Sequence, residues 1–167
     1  MNDDDIKEVY NFVEAGNVEA VVSKLDADKE LLHAQSIAKS WLHFAARNND
    51  VAMIEALLKL GLDVNYTEGD CKNEPIFNAI YENSVEAVKY LVDNGANVNC
   101  GGGVKGATPL ASACAEGSLE LVKYLVLQGA DMNTVFGDPP YTALSYAVMY
   151  KHKVIEQFLK ARGARMP

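Results

Sequence analysis

Apolar residues recur at offsets of 0, 3, 6 and 7 in three stretches: Val51, Ile54, Leu57 and Leu58; Val85, Val88, Leu91 and Val92; Leu119, Val122, Leu125 and Val126. At 3.6 residues per turn these positions share one face, so each stretch predicts an amphipathic helix with a single buried side. Upstream of each lies a shorter phrase of small and apolar residues: 42–46, 75–80 and 108–114, with a fourth at 142–148. These predict short helices whose alanines let a neighbouring helix approach closely. Gly61, Gly95, Gly129 and Gly163 follow the amphipathic stretches at intervals of 34, 34 and 34 residues. Each is placed to end a helix in left-handed backbone. The unit is therefore a loop, a short helix, a turn and a longer helix, repeated. One such unit cannot bury its apolar face alone, so the units must stack.

Length and composition narrow this further. The 167 residues correspond to roughly one domain. With 49% of residues hydrophobic and 23% charged, the chain is expected to fold rather than stay disordered. No apolar run approaches about 18 residues, so no membrane-spanning helix is expected. The acidic start, Met1-Asn2-Asp3-Asp4-Asp5, lacks the apolar core of a signal peptide. Three cysteines form no disulfide framework and point to a reducing compartment, hence a cytoplasmic location. Net charge is −8, which argues against nucleic acid or a membrane surface as partner. The charge is uneven: residues 1–100 hold 8 Lys/Arg against 18 Asp/Glu, and residues 101–167 hold 7 against 5.

The phrases resemble the ankyrin repeat, whose pattern reads T-P-L-H-x-A-A, then G-H-x-E-x-V-x-x-L-L, then G-A-D-V-N. Thr108-Pro109-Leu110 and Gly129-Ala130-Asp131-Met132-Asn133 are the nearest matches, with Gly95-Ala96-Asn97-Val98-Asn99 and Gly61-Leu62-Asp63-Val64-Asn65 beside them. The resemblance implies an all-α solenoid of stacked helix-turn-helix units with projecting loops. It divides a single domain, 1–167, into a degenerate cap at 4–34 and repeats at about 36–69, 70–103, 104–137 and 138–167. The period of 34 places one extra residue in each long loop relative to the usual 33.

Some positions depart from the pattern. Trp41 stands where proline is usual, and Glu74 replaces the capping threonine of the second repeat. The turn glycine is kept only as Gly117; Asn49, Asn83 and Lys151 replace it elsewhere, and asparagine tolerates left-handed backbone. In the fourth repeat Val154, Ile155, Phe158 and Leu159 slip by one against the apolar pattern, so its outer helix is expected to start differently. Lys153, Gln157, Lys160 and Arg162 there make a polar outer surface, as a terminal cap needs.

Candidate chemistry is thin. His43 falls on the family's structural histidine, which bonds neighbouring backbone. Cys71, Cys100 and Cys114 lack C-x-x-C spacing and histidine partners, so no zinc site and no other metal or cofactor is expected. Cys114 takes a core alanine position, and Cys71 and Cys100 are expected as free thiols. The stretch 101–108 is glycine-rich, but Ala107 stands where a phosphate loop needs lysine, so a hairpin tip is expected. The carboxylates fall on surface faces without an apolar pocket to raise a pKa. No enzyme is indicated.

What remains is a binding surface. The resemblance implies that partners meet the loop tips and the ends of the inner helices, which line a concave face. Those positions are Arg47 and Asn48, Tyr81 and Glu82, Ala115 and Glu116, and Met149 and Tyr150. Asn73 and Tyr141 precede inner helices, together with Lys39 and Ala107. Tyr66, Glu68, Asp70, Phe136 and Asp138 fall at tips. Tyr81, Phe136, Tyr141, Met149 and Tyr150 among these are expected to be exposed anchors, the alternative being that the last repeat tucks them against Pro139 and Pro140. The expected partner is another protein with a basic surface, bound by a chain that is a monomer on its own. Small acidic ankyrin proteins of bacteria are similar, and some of them are immunity proteins against toxins. An inhibitor is therefore favoured, with a general scaffold or regulatory adaptor in signalling or stress response as the alternative.

Overall fold

A computed structural model describes residues 3–33, 40–67 and 73–167. The chain forms two compact units, 1–96 and 97–167. The described residues are all-α, with a single isolated β-bridge.

The first unit contains α1 (Asp3–Glu14), α2 (Val18–Ala27), α3 (Lys29–Leu32), α4 (Trp41–Arg47), α5 (Val51–Lys59), α6 (Pro75–Tyr81) and α7 (Val85–Asp93). The short helices α4 and α6 pack side by side with α1 next to α4, while α2, α5 and α7 form a second layer. The N-terminal cap is thus a complete helix pair, turned at Gly16 with φ +66°. Lys24 on α2 clamps it by donating to Asp5 and Glu8 of α1, and those two hydrogen bonds raise its pKa, the Asp5 bond most.

The second unit contains α8 (Pro109–Glu116), α9 (Leu119–Leu127), α10 (Ala143–Met149) and α11 (Lys153–Lys160), with α8 packed on α10 and α9 on α11. Thr108 Oγ1 accepts from the Ala111 N–H at 3.3 Å, and Pro109 occupies the first turn, where its missing N–H costs nothing. Thr142 and Ser145 cap α10 reciprocally.

Burial follows a narrower rule than the apolar spacing. The fully buried outer-helix positions are Met53, Ile54 and Leu57; Ala87, Val88 and Leu91; Leu121, Val122 and Leu125. In α11 the matching pair is Ile155 and Leu159, with Glu156 in the third place. The last outer helix therefore starts in step with the others, at Lys153, 34 residues after Leu119. The expected slip is corrected. Val154 is simply an exposed apolar residue, and the polar Glu156 sits where earlier units bury Ile54, Val88 and Val122.

Within each unit successive repeats are stitched through the Asx-x-Asn that follows α5, α7 and α9. Asp63, Asn97 and Asp131 each accept from the N–H two residues on, at 2.9 Å, which fixes the turn. In the first unit Asn65 then donates to the Gly95 carbonyl at 3.0 Å. In the second, Asn99 donates to the Gly129 carbonyl and accepts from the Asp131 N–H. Asn133 likewise accepts from the Arg165 N–H at 2.8 Å.

The turn between paired helices is left-handed whatever residue occupies it: φ is +55° at Asn49, +53° at Asn83, +76° at Gly117 and +64° at Lys151. Gly117 has a second reason to be glycine. His152 donates from Nε2 to the Ala115 carbonyl at 3.0 Å, and a Cβ on Gly117 would lie 2.5 Å from that imidazole. Ser84 makes the same bond to the Arg47 carbonyl with a far smaller side chain, and Asn49 is tolerated beside it. Gly117→Ala is therefore expected to lower unfolding stability by about 1–3 kcal/mol, measured by urea denaturation. In a His152→Ser background the share due to the imidazole clash should disappear, leaving the cost of alanine in left-handed backbone. An equal loss in both backgrounds would assign the cost to backbone strain alone.

Candidate protein-binding surface

In the first unit the residues expected to meet a partner are already engaged with the fold. Arg47 donates to Glu14 at 2.7 Å and to Asn48 at 3.3 Å, and its guanidinium lies 5.5 Å from the Phe44 ring centroid. Asn48 also donates to Glu14, at 3.2 Å. Both side chains thus tie α4 to the cap. Tyr81 is half-buried against Phe77, with ring centroids 6.3 Å apart, and Glu82 beside it is exposed. The Asn73 carbonyl accepts from His43 Nε2 at 2.8 Å. Because a carbonyl can only accept, that nitrogen carries the proton, and Nδ1 hydrogen-bonds the Ser40 hydroxyl at 2.8 Å. His43 is a buried structural strut. Asp70, Glu68, Lys39 and Cys71 lie outside the described residues.

The second unit gathers its aromatic residues. The stretch after α9 turns back so that Phe136 and Tyr141 exchange both backbone hydrogen bonds, at 3.0 and 2.8 Å. That bridge puts Phe136 under Tyr146 of α10, centroids 5.2 Å apart at 84°, with Tyr141 5.6 Å from the same ring. Tyr146 in turn meets Tyr150, one helical turn on, at 5.9 Å and 86°. Edge-to-face pairs of this kind add about 0.5–1.5 kcal/mol each beyond burial. The inner members of the stack are not available to a partner: Phe136 is only 7% exposed, which corrects its expected place as an exposed loop-tip anchor. Tyr141 is half-buried, and Met149 and Tyr150, at 49% and 54%, are open. Glu116 and Asp138 are exposed.

Three apolar side chains escaped the sequence reading. Val104 and Val135 are exposed in the loops before α8 and α10. Val148 is exposed at a place where Ala46, Ile80 and Cys114 are fully buried. The glycine-rich stretch forms a 3-10 turn at Val104–Gly106 with Lys105 at φ +58°, closed by the Gly103 N–H donating to the Ala107 carbonyl. Lys105 places its ammonium 5.5 Å from the Tyr141 centroid, within cation–π range. Gly137, at φ +76°, is where the two loops meet; a Cβ there would come within 3.3 Å of the Pro139 carbonyl and 3.7 Å of the Lys105 carbonyl. The sequence signal for the stack is the Tyr146–Tyr150 spacing on one helix face.

A family model described as ankyrin repeats in three copies matches residues 10–102, 42–136 and 105–166. The chain belongs to the ankyrin-repeat family. No curated protein matches it. As an ankyrin-repeat protein it has the all-α fold of a non-enzymatic protein–protein interaction module. Among the described residues no group of three or more His, Cys, Asp and Glu side chains converges on a point, and no helix is long and apolar enough to cross a membrane. Cys100 and Cys114 are buried, and Cys114 is a free thiol. Burial pushes the Cys114 thiol up to about 12, which keeps it protonated and unreactive at neutral pH.

Proposed function

We propose that this ankyrin-repeat protein acts by occupying a partner protein, with the open end of the second unit's ring stack as its anchor. The observation that supports this most is the distribution of exposed apolar side chains. Every large one among the described residues belongs to the second unit, and Val148, Met149 and Tyr150 are consecutive at the end of α10. A run of exposed apolar side chains on an aromatic support is the physical form of an interface hot spot. In the first unit Tyr81 and Glu82 occupy the corresponding inner-helix end.

Charge adds the partner's character. Residues 1–96 carry 8 basic against 18 acidic side chains, a net −10, which favours a partner with a basic surface. The finer reading is an inhibitor of the immunity type, a monomer on its own, which blocks a basic toxin by covering it. Its acid charge would speed encounter more than it would tighten the complex. Stopped-flow association with the partner tests this. Glu82→Gln together with Glu116→Gln is expected to slow association at low salt and to change little at high salt. Association independent of salt would overturn the steering. A bound partner that keeps its full activity would replace inhibition by the scaffold or adaptor reading.

A further inference from the structure

The outer helices of the second unit, α9 and α11, leave between them a groove of about 470 Å³ lined by Lys123, Val126, Leu127, Phe158 and Arg162. Leu127 is 81% exposed. Its counterparts at intervals of 34 residues are Lys59, Asp93 and Ala161, so the repeat itself does not call for a large apolar side chain there. Arg162 is held at the groove edge: its guanidinium carbon lies 3.7 Å from the Phe158 centroid, and Nη1 donates to the Phe158 carbonyl at 3.4 Å.

Neither Lys123 nor Arg162 forms an ion pair among the described residues. The first unit offers a comparison. Its outer groove, between α2 and α5, is also apolar, with Val18, Val22, Ala52, Ala56 and Leu60, but its one lysine, Lys59, is neutralised by Glu55 at 2.5 Å. An apolar floor flanked by two cations that lack acids therefore distinguishes this groove from the one between α2 and α5. That combination matches a segment that offers apolar and acidic groups one helical turn apart.

We propose that this groove docks an acidic amphipathic segment of a partner protein, with an apolar side chain on Val126, Leu127 and Phe158 and carboxylates on Lys123 and Arg162. The stacked guanidinium is preorganised to receive a carboxylate through two N–H donors. A polyanion or an anionic bilayer fits less well, because only two cations line the groove and the whole chain carries −8. The groove lies on the outer helices, whereas the ring stack sits on α10 and the loops, so this surface stands or falls independently of the anchor at Tyr150.

The test is an NMR titration of the full chain with a synthetic helical peptide of about 15 residues presenting Leu and Glu on one face. A second peptide has Gln in place of each Glu. The proposal expects shifts confined to Lys123, Val126, Leu127, Phe158 and Arg162. Binding should be at least about tenfold weaker for the Gln peptide, and for a Lys123→Glu, Arg162→Gln chain whose melting is unchanged. Leu127→Asp should abolish the shifts. Equal binding of both peptides would overturn the role of the cations. An absence of groove shifts at millimolar peptide, or shifts centred on Tyr150, would overturn the site. So would occupation of the groove by a second copy in sedimentation, or binding of anionic vesicles without binding of the peptide.

Discussion

Trp41→Ala is expected to remove about 3–5 kcal/mol of unfolding stability, the largest single loss in the chain. The indole is fully buried at the start of α4, where the family usually places proline. Its Nε1 donates to the Leu31 carbonyl at 2.7 Å, which ties the short helix α3 to α4, and its ring lies 6.5 Å from Phe44. Truncation removes the ring and one of the two hydrogen bonds to the Leu31 carbonyl, which still accepts from the His33 N–H. Trp41→Phe separates the two effects: it retains most of the apolar volume and loses the bond, which is worth about 0.5–1.5 kcal/mol. Unfolding should be followed by circular dichroism, since Trp41 is the only tryptophan. A loss below about 1 kcal/mol for the alanine variant would mean that the cap and the first full repeat do not depend on this residue.

Leu125→Ala is expected to cost about 2–5 kcal/mol. Leu125 is fully buried on α9, and the equivalent leucines Leu57, Leu91 and Leu159 are buried as well. Its backbone carbonyl also accepts from the Ala130 N–H at 2.9 Å, which closes the turn at Gly129. The side chain fills the layer between α9 and its neighbours α8 and α11, so truncation opens a cavity that two flanking helices cannot both collapse into. A loss under about 1 kcal/mol would place the residue on the wrong face of its helix.

Both residues mark how much could be read without the structure. Period and helix pairing were legible because Gly61, Gly95, Gly129 and Gly163 repeat at one interval and all adopt positive φ, from +86° to +100°. Burial was less legible, because the apolar spacing counts Leu58 and Val92, which are half-buried, and misses Ala87, which is small and fully buried. The same confusion made α11 seem displaced, since Val154 and Phe158 are apolar but lie off the buried face. Gly117 looked like the one ordinary turn residue. Its requirement comes from His152, 35 positions away, which no local rule reveals.

The surface was legible in part. Tyr150 and Met149 were found because they end an inner helix, a position that repeats along the chain. Phe136 was misplaced because its burial depends on a two-residue backbone bridge to Tyr141, a tertiary pairing without a period. Arg47 and Asn48 stand at the expected positions, but their acceptor, Glu14, comes from the cap, whose helix pairing the repeat pattern does not encode. Val148 is apolar in every reading; only the absence of the packing that covers Cys114 makes it a surface residue.

The central claim is that partner binding draws its energy from the open end of the ring stack. The most direct measurement is the dissociation rate of the partner from Tyr150→Ala, set beside that from Lys89→Ala on the outer helix α7. Tyr150→Ala should lose at least about 1–2 kcal/mol of affinity, almost entirely through faster dissociation. Its unfolding stability should fall by no more than about 0.5–1.5 kcal/mol, the worth of the edge-to-face pair with Tyr146. Lys89→Ala should bind as the parent does. Normal binding by Tyr150→Ala, with the loss appearing at Lys89 instead, would contradict the account.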